Sequence, residues 1–335
     1  MQAQAALQRR TLNRGRCVVR ASSASVSTTT AVPTYTRFGH EVVNWTYSGH
    51  KIRALKSPTK PGQPAMLLVH GFGGNADHFR KNITPLYEAG YNVYAIDLLG
   101  YGFSDKPDPR NAPPHSIYNF SNWGQQLVEF TEQVIGQKVH VVCNSVGGLA
   151  GLEAAIARPD LVQTVQLLDI SLRGLHEKRT PSWQRPLVAS FQRLLRETSV
   201  GEAFFGSVAQ ARTVKNILGQ AYGRKDAVTD ELVECILQPG LQPGAVRVFL
   251  DFISYSFGPL PEDLIARSPV PVGIIWGEED PWEDVKQARQ MFGPIPTVKE
   301  FVTLKGVGHC PQDEAPELVN PLVAQFCRKY DAAAA

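Results

Sequence analysis

The stretch VHVVCNSVGGLAGLEAA, Val139 to Ala155, runs from β-branched residues into small residues of helical character, with Ser145 at the bend. A serine hydroxyl is a weak nucleophile near neutral pH. It needs a base, an acid that orients that base, and N–H donors for the oxyanion formed when it attacks a carbonyl. Each has a candidate at or just beyond the end of an expected strand. A sharp strand-to-helix turn would expose the Ser145 hydroxyl, and Gly147 and Gly148 let the helix begin close to the strand. WGEEDPW sets Asp280 after an apolar run, and LKGVGHCPQDEAPE sets His309 in a glycine-rich loop. In that reading Asp280 orients the imidazole and His309 takes the serine proton. VHGFGG aims the Phe72 N–H at the same place, with the N–H of Val146 as the second donor.

Rival assignments use neighbouring residues. Cys143 stands where a G-x-S-x-G elbow (here Cys143, Asn144, Ser145, Val146, Gly147) has its first glycine. The turn demands a small side chain there rather than glycine itself. Cys143 as nucleophile is disfavoured, because two residues before the apex its side chain points into the sheet packing. Asp169 ends the strand after the elbow helix and is a second candidate acid, and Glu278 and Glu279 precede Asp280. The loop and the following proline favour Asp280. Gly71, Gly73 and Gly74 would also suit a phosphate loop, but GFGGN lacks its lysine and spacing. His70 reads as a turn-stabilising residue. Cys143 and Cys310 lie beside proposed site residues, so thiol modification is expected to block the site sterically.

Positioning these residues takes a particular order of elements. An opening hairpin, Tyr35 to Lys56, turns at Ser48-Gly49. Short apolar runs follow at Met66–His70, Val93–Asp97, Lys138–Cys143, Val162–Ile170, Val272–Gly277 and Val298–Leu304. Such runs suit strands buried on both faces. Helical patterns at Asn122–Ile135, Val146–Ala157, Asp284–Phe292 and Ala315–Lys329 alternate with them. The expectation is an α/β fold with a doubly wound, mostly parallel sheet, its site beyond the carboxyl ends of the strands. The alternation lapses over 171–266, which reads as an inserted helical cap between core segments 34–170 and 267–330. Leu187, Phe191, Leu194 and Leu195 share one helical face, and Thr229-Asp230-Glu231 marks a helix start. Trp183, Phe191, Phe204, Phe205, Phe249, Phe252 and Tyr255 offer an apolar channel.

Composition narrows the classes. With 335 residues, 43% apolar and 19% charged, the chain reads as ordinary globular protein. Arg9, Arg10, Arg14, Arg16 and Arg20 punctuate a Ser/Ala/Thr-rich start, and the first acidic residue is Glu41. Residues 1–33 are therefore expected to be a transit peptide or a disordered basic tail. Without those five arginines 29 basic residues face 31 acidic ones, so the charge gives no argument for nucleic acid. No apolar run is long enough to span a bilayer, and any membrane contact is expected to be peripheral. The five cysteines form no C-x-x-C pair and the histidines no metal-binding grouping, so neither cofactor nor metal is expected.

VHGFGG, DLLGYGFSD, CNSVGG, WGEEDPW and GVGHCPQDEAPE together resemble the α/β-hydrolase superfamily, over about Met66 to Phe326. The resemblance implies that fold and a triad of Ser145, Asp280 and His309. Within it, NSVGGLAGLEAAIARPDLVQTVQLLDIS is similar to the plastid branch of pheophytinases and chlorophyll dephytylases, with Cys143 departing from that branch's usual glycine. That implies a chloroplast serine esterase cleaving a hydrophobic ester, the phytyl ester of chlorophyll or pheophytin. Two other readings stay open: a plastid acyl-lipid lipase, and a ligand receptor or scaffold that retains the triad.

Overall fold

The computed structural model describes residues 34–331; the expected transit segment, 1–33, lies outside them. Nine strands form one sheet: β1 (Thr34–Tyr35), β2 (Glu41–Tyr47), β3 (His50–Lys56), β4 (Ala65–Val69), β5 (Asn92–Ile96), β6 (Val139–Asn144), β7 (Val162–Leu168), β8 (Val272–Gly277) and β9 (Val298–Leu304). Their spatial order is β1-β2-β3-β5-β4-β6-β7-β8-β9. The β2–β3 hairpin closes at Tyr47↔His50. Ser48 and Gly49 both take positive φ, 49° and 81°, as the tight turn between twisted strands requires. β3 runs antiparallel to β5, and every pairing from β5 through β9 is parallel.

Every residue of β4, β5, β6 and β8 is buried, which explains their unbroken apolar sequence. Alternation sends Leu67, Val69, Val141, Cys143, Leu167 and Ile274 into one core and Met66, Leu68, Val142, Leu168 and Ile275 into the other. Twelve α-helices accompany the sheet among the described residues. They are α1 (Ile83–Glu88), α2 (Phe120–Phe130), α3 (Gly147–Ala157), α4 (Arg185–Glu197), α5 (Ser199–Val208), α6 (Ala211–Ala221), α7 (Asp230–Gly240), α8 (Ala245–Ile253), α9 (Pro261–Arg267), α10 (Val285–Phe292), α11 (Pro311–Glu314) and α12 (Pro316–Asp331). Asn119 and Asp284 cap α2 and α10 through their side chains, and Thr229 caps α7 at the N–H of Leu232.

One helix and one boundary differ from the sequence reading. The six-residue α1 is too short to show a helical period. Helix α9 falls inside the expected cap, yet it packs on α3 and α10, with Leu264 and Ile265 in the main core. The cap limit at 266 therefore lies one helix too far along the chain. The expected apolar face of α4 also divides: Leu195 is buried, whereas Leu187, Phe191 and Leu194 face outward.

Candidate active site

Ser145 follows β6 directly and adopts φ 53°, a left-handed conformation unusual for a residue with a side chain. Close approach on both sides makes the bend possible. A Cβ on Gly147 would lie 2.4 Å from the carbonyl oxygen of His70, and one on Gly71 would lie 2.8 Å from the Cβ of Ser145. Glycine is required at both positions, at Gly147 because backbone meets backbone and at Gly71 because the Cβ of Ser145, fixed by its own backbone, stands in the way.

Cys143 answers to the same geometry one turn further along. Its side chain is fully buried, and a Cβ on Gly151 of α3 would lie 2.4 Å from its sulfur. The sulfur fills the notch that the second glycine leaves. Cys143 thus packs between sheet and helix, and burial pushes its thiol well above the usual range. The expected steric block through Cys143 fails, since its sulfur is sealed from the site. Cys310 does line the cavity, but burial and neighbouring carboxylates raise its thiol as well.

Asp280 follows β8, and His309 sits in the loop after β9. The Nε2 of His309 lies 3.0 Å from Ser145 Oγ, and its Nδ1 lies 2.6 Å from Asp280 Oδ2. The Asp280 side chain is completely buried, and its Oδ1 accepts from the N–H groups of Trp282 and Glu283 at 2.9 and 3.2 Å. An unbroken chain therefore links carboxylate, imidazole and hydroxyl. Among the described residues, the N–H groups of Phe72 and Val146 donate to no protein acceptor, and both residues line the cavity. They remain free to receive developing negative charge.

Asp169, the rival acid, is buried at φ 45° and accepts from the N–H of Gly277 at 2.9 Å. One of its carboxylate oxygens lies within 4.8 Å of Asp280 and His309. Burial first, and the charge of Asp280 second, push its carboxyl well above the usual range. Two carboxyls crowded in this way titrate apart, and Asp169 is the one held back from ionising. These three side chains are also the one grouping among the described residues with the spread of a metal site. The ring nitrogen is already engaged by Asp280 and the second carboxyl is held back from ionising, so the donor set suits proton relay better than a cation.

Several contacts were not legible in the sequence. Asn144 Nδ2 donates to the carbonyls of Leu168 and His309 at 3.2 and 3.1 Å, tying elbow to base loop. The N–H of His309 donates to the carbonyl of Ala221, the last residue of α6, at 2.8 Å. A Cβ on Gly308 would lie 2.1 Å from that same carbonyl, so the base loop hangs directly on the cap. The half-exposed Trp282 stands edge-on to His309, with ring centroids 4.9 Å apart. His70 holds its own turn, accepting the Leu98 N–H at Nε2 with Nδ1 2.8 Å from the carbonyl of Gly71. His78 also lines the cavity, and burial lowers it to about 4, so it is neutral.

Ser145 opens into a cavity of about 930 Å³ between the strand ends and the cap. Phe72, Phe120, Phe204, Phe249, Phe252 and Tyr255 dominate its wall, with Phe72 stacked on Phe252 at 5.4 Å. Of the rings expected to line a channel, Phe204, Phe249, Phe252 and Tyr255 do so. Phe205 instead packs on Phe249 at 5.2 Å without lining the cavity, while Trp183 and Phe191 face outward.

The sequence profile of the Alpha/beta hydrolase family matches residues 66–322. The chain is 28% identical over 303 residues to "Pheophytinase, chloroplastic" of Arabidopsis thaliana, covering 80% of this chain and 62% of that protein. It is 23% identical to the "(Lyso)-N-acylphosphatidylethanolamine lipase" of Homo sapiens, covering 82% of each. In structure it resembles a serine hydrolase involved in carbazole degradation, with TM-score 0.67 and 19% identity, covering 87% of this chain and 99% of that one. Fold, elbow and sequence profile agree: the chain belongs to the alpha/beta hydrolase family.

Proposed function

We propose that this protein is a serine hydrolase that cleaves the carboxylic ester of a bulky apolar molecule through an acyl-enzyme on Ser145. The observation that carries the reading is the Asp280–His309–Ser145 hydrogen-bond chain opening into a largely apolar cavity. His309 Nε2 takes the hydroxyl proton as Ser145 Oγ attacks the ester carbonyl, and Asp280 steadies the imidazolium. The N–H groups of Phe72 and Val146 receive the oxyanion. Collapse breaks the bond to the alkoxy oxygen, which leaves as the alcohol with the proton from His309. Water, deprotonated by the same imidazole, then releases the acid and restores Ser145.

A cavity of about 930 Å³ is at the large end of the ordinary range for ligand sites. Its size and aromatic lining favour a long alkyl or isoprenoid ester over a small polar one. The likeness to a chloroplastic pheophytinase points to the phytyl ester of chlorophyll or pheophytin, acting in the plastid. Among the described residues no helix is long and apolar enough to cross a membrane. The test is chromatographic product analysis of the full chain and its Ser145→Ala variant with chlorophyll, pheophytin, a galactolipid and a short-chain chromogenic ester. Serine-dependent phytol release is the expected result. Cleavage of galactolipid alone would select the acyl-lipid lipase. No cleavage at all would move the reading to a ligand receptor or scaffold.

A further inference from the structure

The outer side of the cap carries apolar residues that nothing in the described structure covers. Trp183, Leu187, Phe191 and Leu194 recur every three or four residues along and just before α4, with 70%, 66%, 59% and 44% of their surfaces exposed. That spacing places Leu187, Phe191 and Leu194 in one row on the helix, with Trp183 in the turn just before it. The row does not end in isolation. Helix α5 packs on α4, and its Phe204, 43% exposed, lines the cavity that holds Ser145; Gln192 of α4 lines it too. The α4–α5 pair is therefore both the cavity's rim and the bearer of the apolar row.

Charge identifies the occupant. Between Leu175 and Glu197 the chain has Lys178, Arg179, Arg185, Arg193 and Arg196 against Glu177 and Glu197; Arg179 pairs with Glu262, and Arg193 and Arg196 share Glu197, so five cations against these three carboxylates leave a net charge of +2. An apolar row with a tryptophan at one end, on a segment of net positive charge, is the composition of a helix that lies in a lipid headgroup layer. A two-fold contact between copies through this face would set these arginines against each other. The arginine-rich residues before Thr34 carry the same sign and suit the face no better. We propose that the outward face of α4 is a docking surface for a bilayer with anionic headgroups, holding the rim of the cavity at the membrane. The proposal goes beyond the esterase reading and does not depend on it, because the surface is tested by binding alone.

The experiment is co-sedimentation of the full chain with vesicles of phosphatidylcholine, with and without one third phosphatidylglycerol. Leu187→Glu/Leu194→Glu is expected to bind anionic vesicles about tenfold more weakly or worse, with an unchanged thermal melt. Arg185→Gln/Arg193→Gln is expected to lose the preference for anionic over neutral vesicles. The N-terminal arginines are common to all proteins compared, so a difference belongs to α4. Equal sedimentation of the leucine variant and the parent would overturn the proposal, as would failure of the parent to bind either vesicle. Gel filtration showing a parental dimer that the leucine variant abolishes would also overturn it, assigning the face to a second copy.

Discussion

Replacing Gly151 by alanine adds a methyl group where none fits. Its carbon would stand 2.4 Å from the Cys143 sulfur and 3.3 Å from a methyl of Val141. The sulfur is one bond from a strand buried on both faces and has no open space to rotate into. Overpacking of this kind costs about 1–3 kcal/mol. Alanine returns about 1 kcal/mol through its helical preference over glycine, leaving Gly151→Ala between neutral and about 2 kcal/mol destabilised. Cys143→Ala alone removes one buried heavy atom and costs about 1 kcal/mol. The double variant should recover nearly all of this, because the new methyl then faces the Cβ at position 143 across 3.8 Å, an ordinary contact. The coupling is therefore about 1–3 kcal/mol in favour of the pair. Urea denaturation followed by circular dichroism and tryptophan fluorescence measures all four corners of the cycle. Additivity within about 0.5 kcal/mol would refute the argument that the cysteine stands where a glycine is usual because a second glycine makes room for it.

Asp280→Asn is expected to lower kcat on a chromogenic ester about 10⁴-fold, whereas Asp169→Asn stays within about threefold at neutral pH. The reverse ranking would make Asp169 the working acid. Asp169 also predicts a pH dependence of stability. Its folded-state pKa is raised, so its contribution is fully present below the ordinary carboxylate range and is lost as pH rises toward the folded value. Asparagine cannot ionise, so urea midpoints should show Asp169→Asn gaining on the parent between about pH 4 and neutrality; a gain toward acid pH would contradict the assignment. A thiol reagent at neutral pH should label neither Cys143 nor Cys310 in the folded protein and both in urea, counted by mass spectrometry. Rapid labelling of Cys310 in the folded state would show that the cavity admits the reagent and exposes that thiolate.

The parallel strands were legible because burial on both faces leaves them as continuous apolar runs, and Leu68 or Ile275 could hardly read otherwise. Ser145 and Asp280 were legible because each follows such a run, and His309 because its glycine-rich loop follows the last, half-buried strand, where the ends of neighbouring parallel strands converge. What the sequence could not show is direction within the cap. Phe191 and Phe204 are chemically identical, yet one points outward and the other lines the cavity. Helical periodicity says only which residues share a side, not what that side meets. The burial of Asp169 beside Asp280, the Asn144 bridge and the notch at Gly151 depend on distances between segments far apart in sequence, which no local pattern encodes.

The attachment of the base loop to the last residue of α6 bears on how such proteins can be recombined. Caps of this fold look like modules, since they are inserted between two core strands and line the substrate cavity. Here the carbonyl of Ala221 receives the N–H of His309, and a Cβ on Gly223 would lie 2.8 Å from the carbonyl of Gly306. A chimera that exchanged the whole cap to import a new specificity would unhook the imidazole along with it. A graft ending before Ala221 would keep the backbone hook and change only the walls, so the usable seam for specificity transplants lies inside the cap rather than at its border.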